Sequence, residues 1–195
     1  MLINIRGTSG SGKSTIVREV MKRYDQVNPI FQEGRKQPIA SLCARLYEPW
    51  LAIPGHYETA CGGCDTIHSY DEIFNMVRHY DELGRDVLFE GLLISGDLPR
   101  TLALHTEGRE LMVIGLTEVS LDVCEASIRG RREAKAASKG VPPREFGPNL
   151  RRNLEAKFKL ALKTCDQLEA AGVTVVRADR ATALETVIKA LRLNR

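Results

Sequence analysis

The stretch GTSGSGKST, residues 7–15, decides the fold expected of this chain. From Gly7 to Ser14 it matches the phosphate-binding pattern G-x-x-x-x-G-K-[ST] in full. The apolar run LINIR (2–6) precedes it, and a segment with helical spacing of apolar residues (14–24) follows it. The context is therefore strand, loop and helix, which is the setting in which this motif binds a nucleotide.

The chemistry of each position in the motif predicts its role. Lys13 is expected to reach the β- and γ-phosphates as a catalytic residue, and the Ser14 hydroxyl to bind Mg²⁺. Glycines let backbone N–H groups approach phosphate oxygens, and the positive end of the following helix dipole favours the anion. The residues predicted to bind the nucleotide are Gly7, Gly10, Ser11, Gly12, Lys13, Ser14 and Thr15.

Short apolar runs alternate with helical patterns along the rest of the chain, which is typical of a parallel sheet covered on both faces. We predict an α/β fold of the P-loop NTPase type, with about five strands, helices on both faces and a small lid, in one domain spanning residues 1–195. The strands are expected at 2–6, 86–91, 110–117 and 173–178, with short ones near 38–42 and 50–54. The helices are expected at 14–24, 69–83, 121–138, 149–172 and 181–193, with a helix or irregular segment at 97–106.

Composition excludes several classes of protein. Apolar residues make up 43% of the 195 residues and charged residues 27%, which suits a globular protein with a core. No run approaches the roughly 20 apolar residues of a membrane span. Five cysteines, an odd number, argue against a full disulfide framework, so we expect a reduced, cytoplasmic setting. The net charge of +3 is too small by itself to indicate a nucleic-acid-binding protein.

The segment VLFEGLLIS (87–95) contains a predicted buried strand that ends in an acidic residue, Glu90. Parallel strands end at the ligand crevice in such folds, so Glu90 is expected beside the phosphate loop. Two roles remain open for it: a ligand of Mg²⁺, through water, or the base that takes a proton from an attacking hydroxyl.

A basic segment follows the strand at 110–117. Residues 127–152 have a net charge of +6, and within them we predict a lid at about 127–150. Arg129 and Arg132 are three residues apart and share a helical face, whereas Arg131 lies off that face. A guanidinium group suits the charge that develops on a transferred phosphoryl group, so Arg129 and Arg132 are the predicted catalytic arginines. A solvated helix face and a contact with a phosphate backbone are the alternatives.

The loop GHYETACGGCDTIHS (55–69) is the most unusual stretch of the chain. Cys61 and Cys64, with the nearby histidines, are spaced in a way that is compatible with zinc or a redox pair. We favour a loop that contacts the substrate, since paired glycines let the backbone bend closely around a ligand. Asp65 is a second candidate base there, and Tyr57 can stack on a base.

These residues together resemble the thymidylate-kinase-like P-loop kinases. The run from GTSGSGKST through the glycine–cysteine loop to VLFEGLLIS is similar to bacteriophage kinases of this class, some of which resemble enzymes that phosphorylate 5-hydroxymethyl-deoxyuridine already in DNA. The resemblance implies ATP and Mg²⁺ as cofactors, DNA containing 5-hydroxymethyluracil as partner, and a place in thymidine hypermodification in the host cytoplasm. Ordinary thymidylate kinases typically show an Asp-Arg pair where this chain has Glu90–Gly91, which weakens the case for a monophosphate acceptor.

Two further functions stay open at this point. One is a kinase of free nucleosides or nucleoside monophosphates. The other is a regulatory protein in which the nucleotide acts as a switch and no phosphate is transferred.

Overall fold

The computed structural model describes residues 1–47, 49–59, 62–143 and 145–193. Within these ranges, seven strands form one sheet: β1 (Leu2–Arg6), β2 (Gln26–Ile30), β3 (Ala40–Ala44), β4 (Leu51–Pro54), β5 (Asp86–Glu90), β6 (Leu111–Gly115) and β7 (Thr174–Arg177). The described residues also form six α-helices that cover the sheet: α1 (Lys13–Met21), α2 (Tyr70–Glu82), α3 (Pro99–Thr106), α4 (Leu121–Ala137), α5 (Leu150–Ala170) and α6 (Arg180–Ala190).

The strand order is β2-β3-β4-β5-β1-β6-β7. The five strands from β4 to β7 pair in parallel, whereas β2 and β3 are antiparallel additions at one edge. The predicted parallel sheet with helices on both faces is confirmed, but the strand count of about five is wrong. The unpredicted strand is β2, which is exposed over most of its length and contains Pro29, so it has no apolar alternation to indicate a strand.

Two apolar cores lie on opposite faces of the sheet. Side chains of α1 and α6, such as Val17 and Val187, pack with Ile3 and Ile5 on one face. Side chains of α2 and α5, such as Phe74 and Leu168, pack on the other. Strand β1 is buried over its whole length because β5 and β6 flank it and helices cover both faces.

The central strands set the position of the site. In the parallel register Ile5 of β1 lies opposite Glu90 of β5, so both strands end at the same edge. The phosphate loop leaves β1 at that edge and leads into α1. Across the described ranges, no helix combines the length and the apolar character that a bilayer span requires.

Candidate active site

A cavity of about 670 Å³ opens at the carboxyl ends of the parallel strands. This volume is within the range usual for small-molecule sites. It is lined by residues from the phosphate loop, the glycine–cysteine loop, the end of β5, α4 and the start of α6, among them Lys13, Ser14, Asp65, Glu90, Arg131 and Arg180. The structure thus brings the two predicted carboxylates and the predicted phosphate loop together.

The phosphate loop approaches its neighbours so closely that glycine is required. Gly10 has φ +77°, and a Cβ atom there would lie 2.2 Å from the Cys124 carbonyl oxygen of α4. The loop is therefore packed tightly under α4. Its curled backbone, with its glycines at positive φ and the N-terminus of α1 at its end, fits the binding of phosphate oxygens.

Lys13 is almost completely buried, and its Nζ atom donates hydrogen bonds to the carbonyl oxygens of Gly7 (2.9 Å) and Thr8 (3.1 Å). Burial lowers its pKa from the ordinary value, while the negative charges of Glu90 and Asp65 oppose that shift. The ammonium group is held in the curve of the loop, where a lysine can meet a triphosphate.

Ser14 and Glu90, the two residues predicted to bind a metal, lie next to each other in the site. The Ser14 hydroxyl donates to the Glu90 Oε1 atom at 2.7 Å, and Glu90 is only 1% exposed. Burial raises the pKa of Glu90, and the Lys13 charge and the Ser14 hydrogen bond counteract the increase. A hydroxyl and a carboxylate oxygen side by side are the hard ligands that suit Mg²⁺.

The glycine–cysteine loop lies directly against Glu90. A Cβ atom on Gly63 would be 2.3 Å from the Glu90 Oε1 atom and 2.7 Å from the Glu90 carbonyl oxygen. The loop is held in place by Arg18 of α1, which donates to the carbonyl oxygens of Tyr57 (3.0 Å) and Thr59. The predicted substrate loop thus forms one wall of the cavity, next to the acid.

Tyr57 points its hydroxyl into this wall. The hydroxyl is buried and has no hydrogen bond of ordinary geometry among the described residues. Burial, and then the nearby Glu90 charge, raise the pKa of Tyr57 well above its usual value. The tyrosine therefore stays protonated and can donate a hydrogen bond at this position.

Asp65 has a different surrounding from Glu90. Its Oδ2 atom accepts from the backbone N–H of Leu92 at 2.7 Å, and its Oδ1 atom from that of Leu93 at 3.1 Å. Asp65 therefore ties the glycine–cysteine loop to the turn that follows β5. This is a positioning contact, and it leaves Glu90 as the carboxylate with the more direct access to the phosphate loop.

The zinc and redox interpretations of the C-x-x-C spacing involve Cys61, which lies outside the described residues. Cys64 is buried, and its thiol faces the Pro54 carbonyl oxygen at 3.8 Å. Within the described part of the chain, no group of three or more potential metal-binding side chains is found.

The lid arginines are distributed on two sides of α4. Arg131, with Ser127 and Gly130, lines the phosphate cavity. Arg129 and Arg132 line a second cavity, of about 530 Å³, where both stack on Phe146 with guanidinium–ring distances of 4.9 and 3.6 Å. Both contact the same ring, as expected of residues on one helical face, but that face points away from the phosphate loop.

Two arginines that the sequence did not place in the catalytic set also hold the phosphate loop. Arg180 donates to the carbonyl oxygens of Ser11 (2.9 Å) and Gly10 (2.6 Å), and to the Ser127 hydroxyl of α4 (2.9 Å). Arg180, the first residue of α6, therefore lies over the loop.

Arg6, at the end of β1, is completely buried and lies beneath the loop. It donates to the carbonyl oxygens of Ser95 (3.3 Å) and Asp97 (2.8 Å) and to the Thr101 hydroxyl (2.5 Å). Burial lowers its pKa to about 10. The Ser95 hydroxyl in turn accepts from the Gly7 N–H at 3.2 Å, so Arg6 positions both the turn after β5 and the start of the loop.

Gly63→Ala should lower the rate of phosphoryl transfer by about 10²-fold, because the methyl group would displace the Glu90 carboxylate. Gly108→Ala is the matched control, since Gly108 has the same φ of +77° with no atom within 4 Å of an added Cβ. Gly108→Ala should lose about 1 kcal/mol of folding free energy because of its positive φ. Gly63→Ala should lose more, about 1 to 3 kcal/mol, because its backbone (φ +77°, ψ −161°) lies in a region that essentially only glycine adopts and the Cβ atom would crowd the Glu90 carbonyl oxygen. Steady-state kinetics and thermal unfolding check this, and equal transfer rates in the two variants would remove Gly63 from the site.

The family of this chain is identified by its similarity to known proteins. No family model matches the chain. It is 46% identical over 187 residues to the 5-hmdU DNA kinase of Pseudomonas phage PaMx11, an alignment that covers 95% of this chain and 94% of that protein. It is also 39% identical over 77 residues to the 5-hmdU DNA kinase of Delftia phage PhiW-14, covering 36% of this chain and 24% of that longer protein.

The solved structures that resemble this chain are less similar to it than the phage PaMx11 protein is. Deoxyadenosine kinase from M. mycoides with dCMP and dCDP aligns over 98% of this chain and 99% of that one, at 18% identity and a TM-score of 0.47. The same enzyme with bound dATP gives a TM-score of 0.42. The nearly full-length similarity to the phage PaMx11 protein is what assigns the family: the chain belongs to the 5-hmdU DNA kinases and is a phosphotransferase.

Proposed function

We propose that this chain transfers the γ-phosphoryl group of ATP to the hydroxymethyl oxygen of 5-hydroxymethyluracil in phage DNA, as a step in thymidine hypermodification. The observation that carries the proposal is the buried Glu90 carboxylate, 2.7 Å from the Ser14 hydroxyl and in contact with Gly63. A carboxylate between the phosphate loop and the glycine–cysteine loop supports the role of proton acceptor that we propose for Glu90. The relatives named above are 5-hmdU DNA kinases, which supports the same acceptor. Such an enzyme would act in the host cytoplasm.

The chemistry of an alcohol acceptor explains why a carboxylate is needed. A monophosphate acceptor is already an anion, whereas a hydroxymethyl group must lose its proton as it attacks. In the proposed step Glu90 takes this proton while the new P–O bond forms and the bond from the γ-phosphorus to the bridging oxygen breaks, which releases ADP. Asp65 holds the substrate loop through its two backbone hydrogen bonds.

The phosphate loop forms the donor side of the reaction. Lys13 binds the β- and γ-phosphates, and the backbone from Gly7 to Thr15 surrounds the remaining phosphate oxygens. Ser14 and Glu90 are the residues that would hold Mg²⁺, which when bound neutralises charge on the phosphates. The Glu90 carboxylate has two oxygen atoms and lies between the phosphate loop and the glycine–cysteine loop, so we propose that it would serve both the metal, through water, and the acceptor.

The lid, residues 127–150, is proposed to close over the transferred phosphate and exclude water. Of the lid arginines that the structure describes, Arg131 is the one that lines the phosphate cavity. Arg129 and Arg132, which the sequence predicted for this task, face Phe146.

Arg131→Ala should therefore lower kcat by about 10²-fold, as expected for the loss of one donor to the transferring group. The Arg129→Ala/Arg132→Ala double variant is the comparison, since it removes twice the charge from the same helix. A larger effect in the double variant than in Arg131→Ala would assign the phosphate contact to the residues predicted from the sequence.

The acceptor is tested with labelled ATP and three substrates: DNA containing 5-hydroxymethyluracil, the same DNA with thymine, and a mixture of free nucleosides and monophosphates. Label on the modified DNA alone is the expected result. Label on the small molecules alone would establish the alternative, a free nucleoside or nucleotide kinase. Nucleotide binding without transfer to any of the three would indicate a regulatory protein.

A further inference from the structure

The positive charge of this chain is concentrated in one segment. Residues 127–163, which contain most of α4, the lid loop and the first two thirds of α5, carry eleven Lys/Arg against three Asp/Glu, a net charge of +8. The rest of the chain carries 17 against 22, a net charge of −5. A protein of modest overall charge therefore has a strongly basic region on an acidic background.

Some of these basic side chains are already paired with acidic residues of the chain. Arg151 pairs with Asp122 at 2.5 Å and lies near Glu125 and Glu155, so it joins α5 to α4. Arg129 pairs with Glu125. The charges of these two residues are therefore paired within α4 and α5.

Three other basic residues form a stripe on the outer face of α5: Arg152, Lys159 and Lys163. Their spacing of seven and four residues places them on the same side of the helix, opposite the buried residues Leu154, Ala161 and Leu168. All three are exposed, and none pairs with an acid among the residues that the structure describes.

Helix α5, which carries this outer stripe on its exposed face, packs against the phosphate loop. The Leu154 carbonyl oxygen accepts a hydrogen bond from the Thr8 hydroxyl of the phosphate loop at 3.2 Å. Farther along α5, Leu160 packs on Gly96, where an added Cβ atom would lie 2.6 Å from the Leu160 Cδ2 atom. Helix α5 therefore crosses the phosphate loop and the turn after Glu90. Its basic side chains lie on the opposite side of the helix.

We propose that the outer stripe of α5, Arg152, Lys159 and Lys163, binds the phosphate backbone of the DNA whose base enters the active site. At 1.5 Å per residue the stripe is about 16 Å long, which matches about five phosphates along one strand of B-DNA at 3.4 Å each. Backbone contacts of this kind hold a strand in register without reading its sequence. The inference rests on the proposed DNA acceptor and names the surface that receives it.

The test is a charge reversal with a matched control. Arg152→Glu/Lys159→Glu/Lys163→Glu is compared with Lys22→Glu/Arg23→Glu/Lys189→Glu, which removes the same charge from exposed residues at the far ends of α1 and α6. Binding of a fluorescent hydroxymethyluracil oligonucleotide is followed by anisotropy, without ATP, at several salt concentrations. Because transfer is not needed for this readout, a failure of the proposed reaction stays distinguishable from a failure of the surface.

The stripe variant is expected to bind the oligonucleotide at least about tenfold more weakly, and its slope of log K against log salt should fall by about 2 to 3. The control variant should stay close to wild type, and an ATP analogue should bind both equally. Equal losses in the two variants, or no loss in the stripe variant, would overturn the proposal. The neutral variant Arg152→Gln/Lys159→Gln/Lys163→Gln replaces the reversal if circular dichroism shows that the latter is misfolded, and it should lose the same slope.

Discussion

Lys13→Ala should lower phosphoryl transfer by about 10³-fold, the effect expected when a charged donor to the transferring phosphates is removed. The Nζ atom is buried in the curve of the phosphate loop and bonded to the Gly7 and Thr8 carbonyl oxygens. Among the described residues that line the cavity, Lys13 is the one lysine, so no other lysine there can substitute for its charge. The measurement is the initial rate of transfer from labelled ATP, at saturating acceptor.

The interpretation of this variant depends on the loop keeping its shape. Lys13→Met removes the charge but retains most of the side chain's volume, and it should be as inactive as Lys13→Ala. Lys189→Ala, on the exposed surface of α6, is the control and should be fully active. Retained transfer in both Lys13 variants would exclude the phosphate loop from the reaction.

Glu90→Gln is the second variant with a large expected effect. We expect a fall in kcat/KM of about 10²- to 10⁴-fold, the usual contribution of a general base. The amide keeps the shape of the side chain and can still accept from Ser14, so thermal stability should change little. Glu185→Gln, an exposed residue of α6, should match the wild-type rate. A near-normal rate in Glu90→Gln would refute its catalytic role.

The pH profile separates the two roles of Glu90. Burial raises its pKa, so in the free enzyme the carboxyl becomes protonated, and useless as a base, at a pH above the ordinary glutamate range. The acid limb of kcat/KM should therefore lie above about pH 4.3, and Glu90→Gln should lack this limb. A variant that keeps the limb but needs more Mg²⁺ would assign Glu90 to the metal alone.

The position of the phosphate loop could be predicted because its sequence signal is local. One continuous motif, with a strand before it and a helix after it, predicts the loop and the placement of Lys13 and Ser14 at the start of α1, and their roles remain predictions. The position of Glu90 was also predictable, since the carboxyl ends of the buried strands of a parallel sheet lie at the ligand crevice.

The acceptor side depends on contacts between distant segments. Nothing local in the sequence indicates that Asp65 bonds the backbone of Leu92 and Leu93, or that Gly63 touches Glu90. The helical period places Arg129 and Arg132 on one face, but only the packing of α4 decides that Arg131 lines the cavity beside the phosphate loop. Arg6 stands in an apolar run, and its burial depends on carbonyl oxygens some 90 positions later in the chain.

The most direct test of the central claim is the position of the transferred phosphate. The product of wild-type enzyme, ATP and hydroxymethyluracil DNA is digested to nucleosides, and the phosphorylated nucleoside is analysed by mass spectrometry and phosphorus NMR. The site described above predicts a phosphomonoester on the exocyclic hydroxymethyl oxygen of the base. A phosphate on a sugar hydroxyl would contradict this account, because the acceptor placed beside Glu90 would then be the sugar.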